Sequence, residues 1–271
     1  MKQEIASSLD ALIVEVRKSK KYSVVSEELV RDILKNELNK GKNRKEVIKS
    51  TRNKIHQVGS SFQEELIPYS TWITELKKLP TDLRSKQSIA FIYKCLHYHS
   101  STRERLPFID RFFQESLAPI QPVESILDLA CGFTPLCIPW MPLASGFSYT
   151  GIEIYQDMIS FLDQFFDHLK IKHSFSVGNI LESLQLEKTH VAFLLKAIPC
   201  LEQVDKSIGS RLLENIPSEN ILVSFPSRSL SGRSKGMAVN YEAHFMKLIS
   251  GKNWKITKTE YPNEIAFLVQ K

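Results

Sequence analysis

The stretch Ser125-Ile126-Leu127-Asp128-Leu129-Ala130-Cys131-Gly132-Phe133-Thr134-Pro135 decides how the rest of the chain is read. An apolar run ends in a loop with one glycine, and Pro135 suits the first turn of a following helix. Gly132 lets backbone approach a ligand closely. A strand feeding such a loop opens a doubly wound α/β sheet, where ligands bind beyond the carboxyl ends of the strands. The Gly-x-Gly-x-x-Gly spacing of a dinucleotide site is absent, so the loop by itself does not name the ligand.

Downstream, further short apolar runs at 148–154, 174–177, 190–195 and 220–225 alternate with helical stretches, each bounded by Pro, Gly or Asn. That rhythm implies a parallel sheet with helices on both faces. Two last strand-like runs, 254–259 and 265–269, are joined by Tyr261-Pro262-Asn263-Glu264, which allows a hairpin and no crossover helix. A parallel α/β sheet ending in an antiparallel hairpin is the layout of the class I (Rossmann-like) methyltransferases.

Upstream, to about residue 118, the period is helical. Leu29, Ile33, Leu34 and Leu38 repeat at three- and four-residue steps, with Ser26 as N-cap and Gly41 as stop. A second helix is predicted over 45–58, with Lys45, Lys49, Arg52 and Lys54 on its exposed side. Others are predicted from about Ser70 and over 83–98. The expected division is a basic helical domain, 1–104, and an α/β domain, 105–271.

The whole chain of 271 residues carries 36 Lys+Arg against 30 Asp+Glu, a formal +6. Residues 1–110 hold 21 basic and 14 acidic residues, while 111–271 hold 15 and 16, so the excess is N-terminal. Within 17–54 there are 13 basic and 5 acidic residues, a balance of +8. Such a segment is either a solvated helical surface or a docking face for a polyanion, where phosphate neutralisation releases counterions. A hydrophobic content of 42% excludes disordered and fibrous classes. The longest apolar runs fall far short of the roughly 18 residues of a membrane span. No secretory signal is read in the first residues. Cys95, Cys131, Cys137 and Cys200 match neither a zinc spacing nor a disulfide scaffold. A reducing cytoplasm, no metal and no membrane partner are expected.

Several residues fall where the sheet would converge. Glu153 ends the second strand roughly 20 residues past the glycine, as a solvated acid or as an acceptor for both hydroxyls of a ribose. Asn179 closes the third strand, where an adenine amine is expected. Lys196 follows the fourth strand directly and is either a snorkelling surface cation or a charge delivered into the cleft. At the junction of the halves, His99-Ser100-Ser101-Thr102-Arg103-Glu104-Arg105 reads as a helix cap or as a carboxylate-binding turn with Arg105 as its fork. The polar segment 227–237, with Arg228, Arg233 and Lys235, reads as a surface loop or as a contact for phosphate and substrate.

These segments, in this order, resemble the aminoglycoside-resistance 16S rRNA guanine-N7 methyltransferases, the Arm/Rmt group and its actinobacterial producer relatives. The shared motifs are HSSTRERLPFID (99–110), LDLACGFTPL (127–136), LLKAIPCLE (194–202), SFPSRSLSGRSKGM (224–237), Asn240-Tyr241 and NEIAFLVQK (263–271). The resemblance implies an S-adenosylmethionine-dependent class I methyltransferase acting on N7 of guanine 1405 in the assembled 30S subunit. It implies resistance to 4,6-disubstituted deoxystreptamine aminoglycosides and an N-terminal domain that docks on rRNA; a monomer is expected. It assigns the methionine carboxylate to Arg105, with His99, Ser100 and Ser101 beside it, and the ribose to Glu153. Ala130 and Gly132 would line the cofactor, Asn179, Ile180 and Leu195 would surround the adenine, and Phe62 would reach over from the N-terminal half. Lys196, Arg228, Arg233 and Lys235 would contact rRNA or position the flipped guanine. The chain differs from the family's usual pattern at Phe133-Thr134, where Leu-Asn is common, and at Glu153 and Asn179, where Asp is common. Two other functions suit the same residues: a small-molecule methyltransferase, and a ribosome-binding homologue with weak or no methyltransferase activity.

Overall fold

A computed structural model describes residues 2–59, 66–181, 185–227 and 236–271, with side chains from Leu9 onward. Seven strands form one sheet: β1 (Val123–Leu129), β2 (Leu143–Glu153), β3 (Lys172–Val177), β4 (Val191–Leu195), β5 (Asn220–Pro226), β6 (Lys255–Tyr261) and β7 (Glu264–Gln270). Their order is β3-β2-β1-β4-β5-β7-β6. The first five pair in parallel, and β7 inserts antiparallel between β5 and β6. The expected α/β sheet with its C-terminal hairpin is therefore present.

Strand chemistry explains the order. Val191-Ala192-Phe193-Leu194-Leu195 is buried throughout and takes a central position. Edge strand β3 alternates exposed and half-buried residues, and edge strand β6 carries Lys255 and Lys258, charges that blunt an open edge. Successive side chains of the central strands point to opposite faces. Leu127, Leu129, Leu194 and Val223 join a core beneath α10 (Ile198–Leu201), α11 (Ile208–Asn215) and α12 (Met237–Leu248). Ile126, Phe193 and Leu222 face the other core, which continues without a break into the N-terminal helices.

Those helices are α1 (Lys2–Arg17), α2 (Lys20–Ser23), α3 (Glu27–Leu38), α4 (Arg44–Val58), α5 (Tyr69–Leu76), α6 (Lys86–Leu96), α7 (Ser100–Arg105) and α8 (Ile109–Ser116). Ser26 caps α3 by accepting from Leu29 N, and Asn43 with Glu46 forms a capping box on α4. The segment before α3 is clamped to the end of β2: Val25 bridges Tyr155, Ser26 N donates to Ile154 O at 2.7 Å, and Gln156 N donates to Val24 O at 2.9 Å. Tyr69 and Trp72 of α5 meet Phe133 and Phe161, the latter from α9 (Gln156–His168), in an aromatic cluster. Phe133 thus fills the seam between the halves, an apolar role.

The helix expected after Pro135 is present as a 3-10 helix, Thr134–Trp140, in keeping with Pro139, whose ring in an α-helix would clash with the carbonyl four residues back. One expectation is corrected. On α4, Lys45 and Lys49 are exposed, whereas Arg52 and Lys54 are turned inward. Arg52 Nη2 donates to Glu15 O at 2.6 Å, and Lys54 Nζ lies 3.2 Å from the buried Glu37 carboxylate. Part of the N-terminal basicity therefore ties helices together.

Candidate functional site

The strand ends converge as the doubly wound topology requires. A cavity of about 760 Å³, counting its open mouth, opens beyond β1, β2 and β4. Of the residues singled out from sequence, His99, Ser101, Ala130, Glu153, Asn179, Ile180, Leu195 and Lys196 line it. Leu29, Val58 and Gly59 close it from the N-terminal helices. A Cβ on Gly59 would lie 2.6 Å from Tyr155 Oη and 2.8 Å from Ile154 Cδ1, so any larger residue there would have to displace those side-chain ends. Ala130 and Lys196, which follow the adjacent strands β1 and β4, both hold φ of +57°. A left-handed conformation costs a non-glycine residue roughly 1–3 kcal/mol, so strain is stored at the cleft.

Glu153, in the lining, is 7% exposed. Gly132 N donates to its Oε2 at 2.9 Å and Ile154 N to its Oε1 at 2.7 Å. Burial pushes its carboxyl above the usual range, and these two N–H groups oppose the shift without cancelling it. Gly132 sits at φ +50°, and a Cβ there would come within 3.0 Å of the His99 ring. Its role is this turn, which aims its N–H at Glu153. Burial and the cations Lys196, Arg105 and Arg103 lower the His99 pKa to about 3, so the imidazole is neutral.

Behind His99 lies a buried ion network. Arg105 is fully buried and grips Glu264, the first residue of β7, through Nε at 3.1 Å and Nη2 at 2.6 Å. Its guanidinium stacks on Phe112, 4.3 Å from the ring centre. Lys196 Nζ lies 2.8 Å from Glu104 and 3.5 Å from Glu264. Burial would raise the Glu264 pKa, but Arg105 and Lys196 outweigh it and hold the carboxyl below its ordinary value. Among the described residues, Arg105 Nη1 and Ser100 Oγ remain buried donors with no hydrogen-bond partner. Arg105 and Ser100 lie on α7, behind the cavity wall.

Asn179 is 2% exposed and is held from both sides: its Nδ2 donates to Asp32 Oδ2 of α3 at 2.8 Å, and its Oδ1 accepts from Leu181 N at 3.2 Å. Sequence reasoning did not single out Asp32 or Glu264. Glu264 carries a local signal, an acid opening an otherwise apolar strand, while Asp32 looks like any surface acid of an amphipathic helix. Phe62, Arg228, Arg233 and Lys235 lie outside the described residues. Among the described residues no cluster of three metal-ligating side chains occurs, and no helix is long and apolar enough to cross a membrane.

The cleft presents the Glu153 carboxylate and the Asn179 amide in its lining, and Arg105 Nη1 and Ser100 Oγ, on α7, lie behind that lining. Comparison with known proteins places it. A 16S rRNA (guanine(1405)-N(7))-methyltransferase of Micromonospora echinospora is 31% identical over 266 residues, covering 97% of both chains. One of the same name from Micromonospora rosea is 29% identical, again with 97% coverage of each. Among solved structures, the 16S rRNA methyltransferase RmtF in complex with S-adenosyl-L-homocysteine shares the fold, with a TM-score of 0.81 and 23% identity over 97% of this chain and 98% of that one. The profile of the ribosomal RNA methyltransferase (FmrO) family matches residues 18–269, and the chain belongs to that family.

Proposed function

We propose that this chain transfers a methyl group from S-adenosylmethionine to N7 of guanine 1405 of 16S rRNA, with the assembled 30S subunit as substrate. The observation that carries this reading is the near-full-length similarity to a relative named for that reaction. Resistance to 4,6-disubstituted deoxystreptamine aminoglycosides would follow, and the work would be done in the cytoplasm by a monomer.

The cleft suits the cofactor. Arg105 Nη1 and Ser100 Oγ are buried donors that a carboxylate would satisfy. With His99 and Ser101 beside them, they would hold the methionine end. Glu153 would accept the ribose hydroxyls, Asn179, Ile180 and Leu195 would surround the adenine, and the Ala130–Gly132 turn would run along the ligand. Phe62 would complete the N-terminal wall. When bound, S-adenosylmethionine supplies an electrophilic methyl group on a sulfonium.

The chain's own part is positional. N7 of guanine presents a free lone pair on the major-groove edge, so no proton has to be removed. The cleft chemistry agrees with this: Glu264 is engaged by Arg105 and Lys196, and Glu153 by backbone N–H groups. Holding the reacting atoms in near-attack geometry then supplies most of the rate. A base stacked in rRNA must first be extruded, at a cost of a few kcal/mol. Lys196, Arg228, Arg233 and Lys235 would offset this through base and phosphate contacts. The exposed cations of residues 1–104, such as Lys45 and Lys49, would supply the salt-sensitive docking term.

The test is chemical probing of 16S rRNA from cells expressing the chain. Borohydride and aniline treatment is expected to cleave at guanine 1405, with growth on gentamicin and kanamycin but not on apramycin. An unmodified guanine at that position overturns the reading.

A further inference from the structure

We infer that Asp32, on helix α3, is a positioning residue that makes the cleft selective for a 6-amino purine, by locking the Asn179 amide in one orientation. The inference rests on the cofactor reading above and adds to it a residue from the N-terminal half.

Asn179 lines the cavity beside Ile180, whereas Asp32 does not reach the lining. Asp32 therefore acts through Asn179. A carboxylate only accepts hydrogen bonds, and a backbone N–H only donates. With Asp32 on one side and Leu181 N on the other, the amide has a single satisfied orientation: nitrogen toward Asp32, oxygen toward Leu181. Rotating it by 180° sets oxygen against carboxylate and N–H against N–H. At 2% exposure, no water shell relieves that mismatch.

A locked amide has a consequence for recognition. The Oδ1 retains a lone pair, and its position is fixed, so it can accept from an exocyclic amine. Adenine carries such an amine at C6; hypoxanthine carries a carbonyl, which would meet an acceptor with an acceptor. Selectivity of this kind is strong only where the site's own polar group cannot turn to suit the wrong ligand. Without Asp32 only the Leu181 N–H orients the amide, so the flipped form costs less and the 6-oxo purine is rejected less strongly. Asp32 is itself held on its outer side, with Lys35 Nζ 3.6 Å from its other oxygen. The Ser26–Ile154 hydrogen bond fixes the start of the same helix against β2.

Calorimetry on the full chain with S-adenosylhomocysteine and its 6-oxo counterpart, S-inosylhomocysteine, tests this. Wild type is expected to prefer the adenine compound at least about tenfold, the worth of one hydrogen bond. In Asp32→Ala, affinity for the adenine compound falls about tenfold while the inosine compound stays within about twofold, so discrimination narrows. Unchanged discrimination in Asp32→Ala overturns the assignment. A second pair of variants guards against simple misfolding. Asn179→Asp places two carboxylates in contact and is expected to lose binding, and the exchange Asp32→Asn with Asn179→Asp restores donor to acceptor. Recovery of affinity to within about threefold of wild type supports the lock, and no recovery in a chain that melts as wild type does overturns it. Wild type that binds neither compound overturns the cofactor reading itself, and this inference with it.

Discussion

Glu37 in the helical half and Glu153 in the cleft are both buried carboxylates, and they are balanced in opposite ways. Glu37 is ringed by cations: Lys40 Nζ at 2.6 Å, Lys54 Nζ at 3.2 Å, and Lys42. Burial would raise its pKa, but hydrogen bonds from Lys40, Lys42, Ser50 and Lys54 outweigh this and hold it well below its ordinary 4.5. Among the described residues Glu153 has only backbone N–H partners, and burial prevails, so its pKa is raised from the same 4.5. A charge that serves structure is neutralised by the protein's own side chains. The carboxylate that lines the cleft is positioned by backbone N–H groups instead.

Breaking the cleft side of the comparison has the largest expected effect. Glu153→Gln sets an amide N–H against a backbone N–H and removes a charged acceptor, so affinity for S-adenosylhomocysteine should fall roughly a hundredfold by calorimetry, two charged hydrogen bonds at the low end of their range. In wild type, affinity is expected to decline with falling pH already above 4.5, because the Glu153 pKa is raised, whereas an ordinary carboxylate would decline near 4.5. An affinity flat down to pH 4.5 would show that the Glu153 charge takes no part.

The helical side should respond in stability instead. Glu37→Gln is expected to cost about 2 kcal/mol in urea unfolding at pH 7, leaving cofactor affinity unchanged. Because the folded pKa is depressed, the stabilisation is present above 4.5 and is lost as pH falls below that value. The variant's disadvantage should therefore shrink toward acid pH. A disadvantage that stays constant with pH would assign the cost to packing.

The smallest effect on the molecule itself comes from charges that neither fold nor cleft uses. Lys45→Glu with Lys49→Glu changes exposed side chains and should alter stability by less than about 0.5 kcal/mol. Binding to 30S subunits should weaken and lose roughly 0.9 in salt slope per phosphate contact removed. Unchanged 30S affinity would remove α4 from the docking face.

The sharing of cations between these two uses was not visible along the chain. Arg52 and Lys54 look equivalent to Lys45 and Lys49 in sequence, because helical period places a residue on a face but does not say what packs there. Glu15, Glu37 and Tyr22 claim the first two, and Arg52 lies 5.7 Å from the centre of the Tyr22 ring. The cleft residues were more legible. Ala130, Glu153, Asn179 and Lys196 each follow or end a strand, and in a parallel sheet that position alone brings them to one edge.

The alternation of short apolar runs with helical stretches, the solitary glycine after β1 and the closing hairpin follow from local patterns, since period, turn chemistry and burial on two faces are properties of neighbouring residues. Long-range pairing followed different physics. Arg105 meets Glu264 across 159 positions, and Asn179 meets Asp32 across 147. Neither pair leaves a periodic trace, because a buried charge or amide needs only one partner of suitable geometry from anywhere in the chain. Packing the helical half against the sheet created that geometry for both pairs.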